Sequence, residues 1–278
     1  MTREEIVRSI LNKLDDGFER RLFNASVDAL DDQNNPIRFN TFAFSLRELI
    51  RNYLSQRAPD KEVLNCQWYQ NITQKSQGVA RTQKMSYAIR GGLSNDFVEN
   101  ELEFDLHTIT KELRAIIDDL SKYTHIEPEI FDMSDKEGIE IVNKSLKTLN
   151  KFLKRIAQFR EAVINSYINL IWEITHDALI SESINELDIL STHYYVDEAL
   201  IDDITINYIN DVEVDLLVLG YVEVSHQYGS NGDLRQGDGV EFDESYPFKI
   251  PLKIDVLTPL DFAIEPKDIE VDNSKFYE

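Results

Sequence analysis

Along the first two thirds of this chain the apolar residues recur every three or four positions, and in the last third they recur every two. The first spacing is that of amphipathic helices and the second that of half-buried strands. Thr2 with Glu5 forms a capping box ahead of Ile6, Val7, Ile10, Leu11 and Leu14, which predicts a first helix to about Asp16. A second helix carries Phe18, Leu22, Phe23, Val27 and Leu30 and stops in the turn-rich run Asp31-Asp32-Gln33-Asn34-Asn35-Pro36. A third, from about Arg38 to Arg57, has Phe42, Leu46, Leu49, Ile50, Tyr53 and Leu54 as its apolar stripe and ends before Pro59. The segment from Asp60 to Gly78 is irregular. A short helix then runs from Arg81 to Arg90, closed by Gly91-Gly92, and another from about Asp105 to Tyr123.

Beyond Ser134 a helical pattern continues to about Leu190 and is read as two helices. After Ser191 the runs Ile204 to Ile209, Val212 to Val218, Val222 to Val224 and Phe248 to Val256 read as strands of a small antiparallel sheet, with Gly229 to Asp233 and Gly237 to Gly239 as turns. The expected fold class is α+β: a helical domain over 1–132, a long helical connector over 133–190 and an acidic β-rich module over 191–278.

Charge divides the chain further. The net charge is −22 over 278 residues, yet nine Lys or Arg stand against three acids between Asn35 and Arg90. A cationic surface on an anionic protein orients and binds phosphate, so Arg38, Arg51, Arg81 and Lys84, with Lys122 at a later helix end, are candidate nucleic-acid contacts. Interleaved aromatics such as Phe39, Tyr53, Trp68 and Tyr87 fit either base stacking or a helical core. From Ser191 onward five basic residues face twenty acids, a surface that repels nucleic acid and suits a basic protein partner. A lone cysteine, Cys66, reads as a small buried hydrophobe, and no Cys or His spacing predicts a metal; no cofactor is expected. Calcium at the acids of the last third lacks a loop of matching spacing, which leaves those residues as turn formers. The absence of a long apolar run and the charged start predict a soluble, cytoplasmic protein.

Metal-free phosphodiester cleavage needs a cation at the scissile phosphate and a group that moves a proton. Arg47 fits the first role, His125 the second, and Glu48 is placed to orient its neighbour. The alternative is structural: an Arg47–Glu48 ion pair, and His125 as a helix C-cap favoured by the helix dipole.

The stretches Asn35-Pro36-Ile37-Arg38-Phe39 with Ser45-Leu46-Arg47-Glu48-Leu49, Tyr87 to Leu93, Lys122-Tyr123-Thr124-His125, and Tyr228 to Asp233 with Tyr246-Pro247-Phe248 resemble the bacterial family of predicted pPIWI-associating nucleases. The likeness covers nearly the whole chain and implies nuclease activity in defence against phage or plasmids. The helical part also resembles the HEPN ribonucleases, whose motif sets an Arg a few residues before a His on one helix. Arg47 takes the Arg place and Glu48 the polar place after it, while Asn52 stands where the His belongs and joins the candidate nucleic-acid contacts. That resemblance implies RNA as substrate, a metal-independent mechanism and a homodimer. The reading beside it is a non-catalytic adaptor or sensor that binds the strand without cutting.

Overall fold

The structure is a computed structural model and describes residues 1–76, 78–124, 131, 133–181 and 183–277. It is a mixed fold of helices followed by a four-stranded antiparallel sheet. The chain divides into two compact units, Met1–Phe159 and Arg160–Glu278. Among the described residues no helix is long and apolar enough to cross a membrane.

In the first unit α1 (Arg3–Leu11) starts at the Thr2–Glu5 capping box, and α2 (Phe18–Asp28) lies against α3 (Arg38–Arg57). A short α4 (Asp60–Asn65) occupies part of the segment that reads as irregular, and α5 (Arg81–Arg90) follows. After a π-helical turn at Phe97–Glu101 comes α6 (His107–Lys122). Nine of the twenty residues of α3 are buried, more than one stripe supplies, because α2, α5 and α6 all pack on it. Cys66 is buried with Ala58, Val63 and Tyr87, as a small apolar side chain.

The helical stretch to about Leu190 holds two helices of very unequal length, a short one at Asn185–Asp188 and the long α7, which runs from Asp135 to Ser181 without a break, capped by Ser134 and Glu137. The segment holds no proline and its one glycine, Gly138, falls in the first turn, so nothing in it interrupts the backbone. Gly138 is a packing residue. A β-carbon there would stand 2.3 Å from the Phe39 ring, so the glycine admits the ring of α3 against the start of α7. Residues of α7 up to Phe159 belong to the first unit, and from Arg160 to the second.

The second unit adds α8 (Asn185–Asp188), the strands β1 (His193–Ile209), β2 (Glu213–Tyr228), β3 (Val240–Asp255) and β4 (Glu270–Val271), and α9 (Asn231–Gln236) between β2 and β3. The strands are longer than their sequence signal. Among the described residues β1 pairs with β2 alone, and it carries three register shifts, at Val196/Glu198, Ile201/Asp203 and Ile206/Tyr208, each of which resets the alternation that marks a strand. In β2, Gly220 reads as a break between two runs. Its β-carbon would meet the Leu200 carbonyl at 2.3 Å and the Phe248 ring at 2.5 Å, so the glycine serves close approach inside one continuous strand. The segment from Gly229 to Gly239 is likewise a capped helical turn: Asp233 accepts from Ser230 N and Oγ, and Gly237 ends the turn at φ +83°.

One face of the sheet is apolar, with Val214, Leu216, Val218, Val222, Val224, Phe248, Ile250 and Ile254 buried. His226 continues that row and is fully buried. Its Nδ1 lies 2.9 Å from Ser191 Oγ and its Nε2 lies 2.9 Å from Tyr246 OH. The Ser191 hydroxyl donates to the His193 carbonyl, so Ser191 Oγ accepts from Nδ1–H while Tyr246 donates to Nε2. That arrangement satisfies both ring nitrogens of a neutral imidazole.

Two predictions follow from these packing details. Gly138→Ala lowers stability by about 1–3 kcal/mol in denaturant titration, the overpacking against Phe39 outweighing the gain of up to about 1 kcal/mol in helix propensity. Burial lowers the pKa of His226, so the unfolded chain holds the extra proton first. Stability therefore falls as pH drops below about 6.5, by no more than about 1.4 kcal/mol per pH unit from this group, and His226→Gln removes that component of the slope.

Candidate nucleic-acid interface

The candidate cations of the first unit are held by carboxylates. Arg38, whose side chain is 12 % exposed, joins Asp135 of α7 at 2.5 Å and the Gln33 carbonyl at 3.1 Å. Lys84 pairs with Asp60, and Arg81 with Asp118 at 3.7 Å. Lys122 pairs with Asp119 at 3.0 Å, and Lys144 of α7 reaches the same carboxylate at 2.8 Å; hydrogen bonds from the two lysines hold Asp119 below the usual carboxylate range. These contacts tie α3 to α7, α5 to α4 and α6, and α6 to α7. The cationic island is thus a set of helix-to-helix ion pairs as well as a surface.

Arg57 is the most deeply committed of them. It forks onto Glu19 of α2 at 2.7 and 3.2 Å, contacts Asp15, and stacks 3.8 Å over the Tyr53 ring. Asn52 lines a shallow cleft beside this group, with Phe18, Glu19 and Gln56. Arg90 is buried, stacked 4.3 Å over Trp68, bonded to Asn95, and its pKa is pulled down to about 10 by burial.

Arg47 differs. Its Nη2 donates to Glu48 at 3.1 Å, Glu48 also faces Arg51 at 3.5 Å, and Arg51 is 79 % exposed. The Arg47 Nε is buried without a hydrogen-bond partner among the described residues. With 29 % of its side chain exposed, the guanidinium stands at the protein surface held on one side by Glu48. His125 lies outside the described residues, so its separation from Arg47 is not part of this geometry. The chain leading to it is anchored: the buried Asn40 donates its amide to the Tyr123 carbonyl at 2.9 Å. Arg47 follows Asn40 by seven residues, on the same side of α3 and about 10 Å along its axis.

A second cationic feature was not among the sequence candidates. Between Ile141 and Arg160 the chain has six Lys or Arg and no acid. The pattern reads as an amphipathic helix, and the apolar stripe conceals that the charged positions beside it are all basic. Lys147, Lys151, Lys154 and Arg155 recur at helical spacing and line a cleft of about 600 Å³ with Asn150 and Gln158, the start of α6 and the residues Met1 and Ile6. Lys151 bonds Glu112 at 2.7 Å, whereas Lys147 and Lys154 have no carboxylate partner among the described residues. Arg155 stacks 4.2 Å over Phe104. Lys13 lies near enough to Lys154 that burial and this like charge lower its pKa.

The first unit thus holds two kinds of cation, ones paired between helices and, among the described residues, Lys147 and Lys154 of α7 without a carboxylate. This is chemistry for holding phosphate, and two family models carry the same implication. Both are described as predicted pPIWI-associating nuclease, one matching residues 11–149 and the other 156–277. The chain belongs to this family of predicted nucleases. No curated protein and no solved structure matches it.

The Arg57–Glu19 pair gives a stability test separable from activity. Glu19→Ala leaves Arg57 against Tyr53 with Asp15 as its remaining carboxylate and lowers unfolding free energy by about 1–3 kcal/mol. Replacing both partners by leucine costs less, as chemical denaturation of the two variants side by side measures.

Proposed function

We propose that this chain is a metal-independent ribonuclease in which Arg47 binds the scissile phosphate, Glu48 fixes the Arg47 guanidinium and His125 moves the proton. The observation that carries the reading is the state of Arg47: a surface guanidinium with one carboxylate partner, oriented and still open to an anion. The Asn40–Tyr123 bond supports it further, because it ties the residues just before position 125 to the first turns of the helix that carries Arg47.

RNA is the substrate class that such a set serves. Its 2′-hydroxyl supplies the nucleophile within the strand, so a cation and a proton-transfer group are enough. A base takes the 2′-hydroxyl proton, O2′ attacks phosphorus, and the 5′-oxygen leaves with a proton, which yields a 2′,3′-cyclic phosphate. Arg47 stabilises the charge that builds on the phosphoryl oxygens, and an imidazole is suited to exchange the proton near neutral pH. Defence against phage or plasmids is the setting that the family description favours. The acidic sheet unit would then serve a protein partner, and a homodimer would present two such Arg47 groups together.

A second reading, a strand-binding component that does not cleave, is favoured by the pairing of Arg38, Arg81, Lys84 and Lys122 with acids. Cleavage assays separate the two. Purified protein in EDTA is expected to cut labelled single-stranded RNA to products ending in a cyclic phosphate. Arg47→Ala and His125→Ala each lower the rate by about 10²–10⁴-fold with unchanged far-UV circular dichroism. A full-speed His125→Ala enzyme, or activity that EDTA abolishes and a divalent ion restores, overturns the mechanism.

A further inference from the structure

We infer that the lysine-lined cleft of α7 is a binding site for the phosphodiester backbone of a single nucleic-acid strand, separate from the Arg47 group. The inference rests on the nucleic-acid reading above and assigns the grip to residues that it does not use. Two features of the cleft point to an anionic ligand of extended form.

The first is uncompensated charge. Lys147 and Lys154 project from one face of α7, seven residues or about 10 Å apart, with Lys151 between them and Arg155 beside them. Among the described residues the one acid lining the cleft is Asp105, whose carboxylate is turned to the first turn of α6, accepting from Thr108 N at 3.1 Å. Arg38, Arg57, Arg81, Lys84 and Lys122 each sit against a carboxylate; here neither Lys147 nor Lys154 does among the described residues, and Lys154 lies near enough to Lys13 for the two like charges to repel. Of the row only Lys151 has a carboxylate, Glu112, among the described residues, so Lys147, Lys154 and Arg155 leave a net positive charge whose repulsion a polyanion relieves while releasing its own counterions.

The second is the wall of the cleft. Arg155 is stacked on Phe104 and hydrogen-bonded to Gln158 Oε1 at 3.2 Å, so its plane is fixed edge and face. A fixed guanidinium plane is a platform for an unstacked base. Asn150 is buried and held by Ser9 Oγ at 2.8 Å, which gives the floor a rigid polar group. A concave site with one row of cations and a stacking platform suits a single backbone. A duplex would present two backbones on a convex surface, with its bases hidden from Arg155.

The test uses the full chain and a fluorescein-labelled 20-nucleotide single-stranded RNA, with DNA of the same sequence in parallel. Anisotropy is recorded over a range of salt. The double variant Lys147→Glu/Lys154→Glu is compared with Lys249→Glu/Lys267→Glu, which changes net charge equally but lies in the acidic unit. The cleft variant is expected to lose about tenfold or more in affinity, and Lys147→Ala/Lys154→Ala to flatten the salt slope by about 1.4, as for two phosphate contacts on a single strand. The acidic-unit variant is expected to bind as wild type. Wild-type affinity in the cleft variant, an equal loss in the acidic-unit variant, or displacement by poly-glutamate as effective as by unlabelled strand each overturns the inference. Failure here with EDTA-resistant cleavage intact leaves the ribonuclease reading standing, whereas a wild-type chain that neither binds nor cuts RNA or DNA overturns both.

Discussion

The first unit depends on the enclosure of α3. With α2, α5 and α6 packed on it and Phe39 seated on Gly138 of α7, the helix has little free circumference. An arginine on the packed sides of such a helix, unlike the exposed Arg51, cannot turn freely to water. Leaving its charge partly desolvated and alone is costly, so the stable solution is a carboxylate from a neighbouring element. Arg38 with Asp135 and Arg57 with Glu19 are that solution, and Lys84 with Asp60 repeats it on α5. The pairs fix which helix lies against which. A buried apolar stripe alone is more tolerant of rotation and sliding than a forked guanidinium bond.

Charge on α7 follows another logic. Lys147 and Lys154 lie on an exposed face where water screens them, so neither needs a partner for the fold to be stable. A group that folding does not need to neutralise remains available to a ligand. Arg47 is intermediate, held by Glu48 and still partly open. Fixed and open cations thus stand side by side in the same short stretch of helices.

Much of this architecture was legible in the residues. The bounds of α3 and α5 follow from periodicity and from Pro59 and Gly91, and the change to strand spacing near Ser191 locates the sheet. What periodicity could not show was contact. Gly220 looks like a breaker because its packing against Leu200 and Phe248 is made by distant chain. β1 is hard to read because three bulges scramble its alternation. The site was legible in type and only partly in place. Arg47 and Glu48 are together because they are neighbours in sequence, but whether Arg81 faces Asp118 or a phosphate is decided by α6, which the local sequence of α5 does not contain. The basic residues of α7 are masked for the opposite reason: the apolar stripe accounts for the segment as a helix and does not by itself distinguish a mixed polar face from one that carries lysines and no acid.

The acidity of the sheet unit has a consequence of its own. β1 is an edge strand, and its outer rim of amides and carbonyls is a template on which a foreign strand or a second copy can add. Asp197, Glu198, Asp202 and Asp203 crowd two of its three bulges, where the rim is already bent. An incoming copy would bring the same four carboxylates against these, and the kinked ladder would offer it no straight run of hydrogen bonds. The negative charge of this region thereby discourages cross-β aggregation, a hazard that long strands with one apolar face would otherwise carry.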